Sequence, residues 1–130
     1  MKLIFHKPIG PRQKAKATIH STGKLGFSSE AENMLALNEN AAIKIATNED
    51  DGDENLYAVI EKKIDEESFE VKKSGGYYYI NASGLFDSLK IDYKADKIIF
   101  DIEEIEMDGQ KLFKFKKRVI NKKKMEDEIN

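Results

Sequence analysis

Cysteine is absent from the 130 residues, which excludes disulfides, thiolate metal sites and a thiol nucleophile. Long apolar runs are missing too: no stretch approaches the roughly 20 residues that a membrane-spanning helix needs. The opening segment, Met1-Lys2-Leu3-Ile4-Phe5-His6-Lys7-Pro8, has only three consecutive apolar residues, too few for the apolar stretch of a signal peptide. No membrane association is therefore expected, and the cytoplasm is the expected compartment. Proline is confined to Pro8 and Pro11, which with Gly10 break the chain before its first patterned segment.

Catalytic signatures are missing as well. There is no phosphate-cradling glycine loop, no Gly-x-Ser-x-Gly elbow and no His-Glu-x-x-His. The two histidines, His6 and His20, have no Asp, Glu or Cys at metal-ligand spacing. The acidic run Glu49 to Glu54 fails as a calcium loop. With Gly52 at its sixth position, Thr47 and Ala58 would fill the first and twelfth, and neither is a suitable ligand. The run reads as a solvated hairpin tip. No enzyme activity, cofactor, metal or small-molecule substrate is expected.

What remains is a highly charged chain with patterned apolar clusters. Charged residues make up 35% and hydrophobic ones 40%, which suits one folded domain with a charged surface. The net charge of −2 hides segregation. Residues 1–28 carry six cations and no acid, whereas residues 29–71 carry thirteen acids and three lysines. A basic end of this kind suits a polyanionic partner, although charge blocks are commonly only solvated surface.

An internal repeat organises the rest. Thr22-Gly23-Lys24-Leu25-Gly26-Phe27-Ser28-Ser29 aligns with Ser74-Gly75-Gly76-Tyr77-Tyr78-Tyr79-Ile80-Asn81: a glycine turn, a short strand and a helix cap. Ser29, with Glu32 three residues on, and Asn81 are the expected N-caps. Short helices follow over Glu30–Leu37, with Met34, Leu35 and Leu37 inward, and over Ala82–Leu89, with Leu85, Phe86 and Leu89. Strands come next at Ala41–Ala46 and Lys97–Ile102. Hairpins at Asp51-Gly52 and Asp108-Gly109 then return through Leu56–Ile60 and Lys111–Phe115, Asp-Gly being favoured where both turn residues need positive φ.

Each half opens with an alternating strand, Lys14–His20 and Ser68–Lys72. Leu3-Ile4-Phe5 is expected to add an edge strand. The alignment puts Tyr77 and Tyr79 in the core beside their equivalents Leu25 and Phe27, and leaves Tyr78 exposed. The alternative for the tyrosines is a platform for stacking single-stranded bases.

The fold expected is mainly β with two short helices: duplicated strand–strand–helix–strand–strand units sharing one core in a closed or near-closed pseudo-two-fold barrel. It is one domain over 1–120, with repeats at about 13–63 and 67–118 and a charged tail at 121–130.

On these residues the chain resembles the swapped-hairpin units of the AbrB and MraZ families, MraZ more closely because it too carries two units per polypeptide. Lys24 stands where those families favour Arg, and Ser28 or Ser29 where they favour Pro. The resemblance implies a non-catalytic, transcription-regulator-like protein that grips DNA with a basic strand and turn. It marks Lys14, Lys16, His20 and Lys24 in the first unit, and Lys72 and Lys73 in the second. The pI of about 5.8 is low for a duplex binder. The C-terminal lysines (Lys114, Lys116, Lys117, Lys122, Lys123 and Lys124) and Arg118 read either as phosphate contacts or as solubilising charge. A structural or protein-interaction module, with a protein partner or self-association and no nucleic acid, is the alternative.

Overall fold

The two-residue alternation of the first strand fixes its orientation, and its neighbours follow. In β1 (Lys16–Ile19) Ala17 and Ile19 are buried, whereas Lys16 and Thr18 lie on the outer side. The computed structural model describes residues 1–5, 14–49 and 52–121. After β1 come β2 (Lys24–Phe27), α1 (Ser29–Leu35), β3 (Ala42–Thr47), β4 (Leu56–Glu61), β5 (Ser68–Glu70), β6 (Lys72–Ser74), β7 (Tyr77–Asn81), α2 (Ser83–Ser88), β8 (Asp96–Met107) and β9 (Gln110–Asn121).

All nine strands form one antiparallel sheet in the order β5-β3-β4-β9-β8-β1-β2-β7-β6. Its two end strands are consecutive in the chain, separated only by the buried Val71. Residues 68–70 pair with β3, and residues 72–74 pair with β7. One bent stretch therefore joins both ends of the sheet and curls it into a nearly closed barrel, which leaves little free edge. This explains two departures from expectation. The single strand expected over Ser68–Lys72 is divided at Val71, whose N–H donates to the Ala41 carbonyl at 3.2 Å. Leu3, Ile4 and Phe5 form no strand and are exposed.

Exchanging β1, β2, β3 and β4 with β5/β6, β7, β8 and β9 carries the whole set of pairings onto itself. Thus β1–β8 becomes β5–β3, β1–β2 becomes β6–β7, and β2–β7 and β4–β9 map onto themselves. The two halves fill the interior differently. From the first half come mostly small or aliphatic side chains such as Ala17, Leu56 and Ala58; the second supplies Phe86, Phe100, Phe113 and Phe115. Cross-strand partners match small against large: Ala17 faces Phe100, Leu56 faces Phe115 and Ala58 faces Phe113.

Ser28, not Ser29, caps α1. Its Oγ accepts from the Ala31 N–H at 3.2 Å and from the Lys16 N–H at 3.0 Å, so one hydroxyl ends the β1–β2 ladder and starts the helix. Glu32 makes no capping box; its Oε1 accepts from the Tyr78 N–H at 3.0 Å and ties α1 to β7. The helix stops at Leu35 because Ala36 turns left-handed at φ 51°. Leu35 and Leu37 are buried, but Met34 is exposed.

The second helix starts without a side-chain cap: Ala82 holds the cap position, and Asn81 ends β7 instead. Phe86 is buried and Leu85 packs on the core, while Leu89 lies at the surface. Gly23 sets how closely this helix approaches. At φ +90° its carbonyl accepts from the Ala82 N–H, and an added Cβ would stand 2.8 Å from the Ser83 Cα.

The β8–β9 hairpin turns on Asp108 and Gly109, at φ 52° and 77°, as expected. In the other hairpin Gly52 has φ +86°, and Asp51 lies outside the described residues. Asn121, expected as the first residue of a charged tail, completes β9; the rest of that segment, 122–130, lies outside the described residues.

Candidate nucleic-acid interface

Opposite residues on adjacent antiparallel strands point the same way, so the ladders define the outer face. One row runs from Ile99 through Thr18, Gly26 and Tyr79 to Lys72, across β8, β1, β2, β7 and β6. Lys16 lies two residues before Thr18 on the same face, and Lys24 two residues before Gly26. Tyr77 is two residues from Tyr79.

The tyrosine triplet is therefore turned over relative to the sequence expectation. Tyr78 packs against the core, and Tyr77 and Tyr79 stand half-buried on the outside. The physical reason lies in Ile80. It is fully buried opposite Leu25, and alternation from Ile80 forces Tyr78 inward. The inward residues are Leu25 and Phe27 on β2 and Tyr78 and Ile80 on β7, one residue away from what the alignment on glycines gives. Anchoring the alternation on the aliphatic Ile80 would have found this from the sequence.

The outward tyrosines sit in an aromatic and cationic cluster. His20 stacks on Tyr77, with ring centroids 5.9 Å apart and planes 15° apart. Tyr79 lies 6.1 Å from Tyr77. The Lys24 ammonium stands 4.6 Å from the Tyr79 ring centroid, a cation–π geometry. His20 is held by the turn after β1, its N–H donating to the Lys24 carbonyl and its own carbonyl accepting from the Gly23 N–H, both at 2.8 Å.

Gly26 makes the stack possible. A Cβ there would lie 2.6 Å from His20 Nε2 and 3.5 Å from Tyr77 Cε2, so the bare backbone is the floor over which the two rings meet. A shallow depression of about 400 Å³ opens beside it, with Lys16, Thr18, His20, Gly26, Tyr77 and Lys97 in its walls.

Among the residues marked by sequence, Lys16, His20, Lys24 and Lys72 share this face. Lys14 is exposed just before β1, outside the strand expected for it. Lys73 stands opposite Tyr78 and so alternates away from Lys72; its ammonium lies 5.5 Å from the Tyr78 ring. Among the described residues, Lys14, Lys16, Lys24, Lys72 and Lys73 make no ion pair. The carboxylate opposite Lys16, Asp101, is engaged elsewhere: Arg118 holds it through two hydrogen bonds of 3.0 and 3.2 Å. The face keeps its positive charge uncompensated.

Four cations of β9, Arg118 among them, behave differently. Lys111 pairs with Glu104 at 2.6 Å, Lys116 with Glu103 at 3.4 Å and Lys117 with Glu54 at 3.8 Å. Lys122, Lys123 and Lys124 lie outside the described residues.

Of the acidic run, Asp53 is held by three donors. Asp53 accepts from the Tyr57 hydroxyl at 2.6 Å, the Asn55 N–H at 2.9 Å and the Asn48 amide at 3.0 Å. Led by the Tyr57 hydrogen bond, these donors hold its carboxyl down at about 2. Among the described residues no group of three or more His, Asp or Glu is placed to hold a metal ion. A second concavity, about 740 Å³, lies between the end of α1, β4 and β9, with Met34, Val59, Ile60 and Phe113 on its walls.

No family profile, curated protein or solved structure matches the chain. Among the described residues, no helix is long and apolar enough to cross a membrane. Fold and site together define a nearly closed nine-stranded antiparallel β-barrel with an unpaired cationic and aromatic outer face.

Proposed function

We propose that this is a non-catalytic DNA-binding protein whose β1–β2–β7 face holds the phosphate backbone. The observation that carries the reading is that Lys16, Lys24 and Lys72 project from one face without ion pairs, while Lys111, Lys116, Lys117 and Arg118 of β9 are ion-paired. Unpaired ammonium groups give up the least when a phosphate arrives and its counterions leave. His20 adds a donor at the rim.

Kinship to the AbrB and MraZ barrels, a transcription-regulator-like role and a cytoplasmic location belong to the same proposal. Two divergent copies of one unit are also part of it. The invariance of the strand pairings under exchange of the halves supports that origin.

DNA retention measured at about 50 and 200 mM salt tests the reading, a range over which phosphate contacts lose affinity steeply. We expect steep loss with salt. The Lys16/Lys24/Lys72→Ala triple variant should lower the log–log slope by about 2 to 3. A Lys111/Lys116→Ala control, which removes paired cations, should leave it unchanged. Indifference to DNA at the lower salt would sink the proposal.

The second reading is a protein-interaction module without nucleic acid. It is favoured by the partly apolar concavity between α1, β4 and β9.

A further inference from the structure

We propose that the strand taken by this face is unpaired, its bases stacking on Tyr77 and Tyr79 while Lys16, Lys24 and Lys72 neutralise its phosphates. This rests on the DNA-binding reading above and narrows it to single-stranded nucleic acid.

The argument starts from what each kind of strand offers. A duplex presents phosphates and the edges of its bases, and its base faces are hidden in the stack. A surface that recognises a duplex through charge has no use for exposed aromatic rings. A single strand presents base faces, and each base stacked on an aromatic side chain contributes a sequence-tolerant increment. Here the rings and the charges are interleaved on one sheet surface, with Lys72 directly opposite Tyr79 and Lys24 over its ring.

Spacing points the same way. The Tyr77 and Tyr79 centroids are 6.1 Å apart, with planes inclined at 51°. Bases in a helical strand follow one another at roughly 3.4 Å. Two successive bases can each meet a tyrosine only if they are spread apart and tilted, which a strand still paired to its complement does not permit. The depression walled by Lys16, His20, Tyr77 and Lys97 adjoins Tyr77, and Gly26 leaves room for the His20 ring against it. His20 backs the Tyr77 ring and fixes its orientation. Tyrosine rings held by neighbouring strands lose little freedom on binding, an advantage for a stacking platform.

Burial alone does not explain the arrangement. Tyr78 and Ile80 already fill the inner side of β7, and the outer side would be satisfied by polar residues. Two adjacent outward aromatics among unpaired lysines are the pattern of stacking surfaces with electrostatic funnels.

The full chain should be titrated by fluorescence anisotropy against labelled dT12, rU12 and a 12-base-pair duplex at the same salt. Expected is tighter binding of a single strand than of the duplex, with the dT12 and rU12 arms telling whether the ribose hydroxyl matters. Tyr77→Ala and Tyr79→Ala should each weaken single-strand binding by about 5- to 150-fold, the range for loss of one stacked base. Their salt slopes should stay at the wild-type value, because no phosphate contact is lost. Tyr77→Phe and Tyr79→Phe keep the ring and should bind as wild type; they carry the test should the alanine variants unfold.

Preference for the duplex, or wild-type dT12 binding by folded alanine variants, overturns the inference and leaves phosphate binding standing. So does a strong loss in the phenylalanine variants, because it assigns the interaction to the hydroxyl. No binding of any probe at low salt overturns both readings.

Discussion

The lysines of the β8–β9 ribbon and those of the β1–β2–β7 face project from the same barrel, yet they meet opposite fates. On the ribbon, Asp101, Glu103 and Glu106 of β8 lie opposite Lys116, Lys114 and Lys111 of β9, and Lys111 and Lys116 close ion pairs with Glu104 and Glu103 along the hairpin. Beyond Ile102 and Phe113 the two strands pair only with each other, so charge complementarity there helps to hold the ribbon's register. On the other face, Asp101 opposite Lys16 is held by Arg118, and the residues opposite Lys24 and Lys72 are Asn81 and Tyr79. Surface ion pairs are each worth about 0–1 kcal/mol, so neither arrangement is needed for stability. The difference concerns what each surface can receive from outside.

The sharpest way to break that contrast is to remove the core both regions stand on. Phe100 is fully buried where β8 meets β1, with ring centroids 6.3 Å from Phe86 and 6.2 Å from Phe115. Phe100→Ala should cost about 3–5 kcal/mol in urea unfolding, with one cooperative transition lost as a whole. Separate melting of the two regions would show that they do not share an interior.

Gly26→Ala acts on the face alone. The new methyl would press on the movable His20 ring, so stability should change by less than about 1 kcal/mol. The His20–Tyr77 stack should open, seen as the His20 ring protons losing the shielding of Tyr77 in NMR spectra. Unchanged His20 shifts would mean that the glycine does not govern the stack.

The smallest effect is expected at the hairpin between β3 and β4. The Asp53 carboxyl titrates at about 2, below the ordinary carboxylate value of 3.8, so its contribution to stability is complete above that ordinary value and fades as pH falls toward 2. Asp53→Asn should therefore lower the urea midpoint slightly at pH 7, and the gap from wild type should close between pH 4 and 2. A gap that persists at pH 2 would assign the effect to something other than the ionised carboxylate.

Much of the fold was legible from local pattern. Alternation in Lys16–Ile19 placed Ala17 and Ile19 inside, and Asp108-Gly109 located its turn, because each depends only on neighbours along the chain. The cap of α1 was missed by one residue, since Ser28 and Ser29 are equal in propensity. Ser28 is chosen by its second hydrogen bond, to the Lys16 N–H twelve residues away. The tyrosines were misplaced for a related reason: an alignment on glycines ignored that the cross-strand partner of Ile80 is Leu25.

By itself the sequence determined a mainly β chain with two short helices, strand-period patterning and a cation-rich beginning, because composition and near-neighbour periodicity encode such properties. The tertiary structure decided that residues 68–74 bend at Val71 to join the two ends of the sheet, and that Ile80 lies against Leu25. It also decided which lysines meet carboxylates and which meet rings. Those outcomes depend on pairing between residues far apart in the chain, where a one-residue shift reverses the face that every side chain presents.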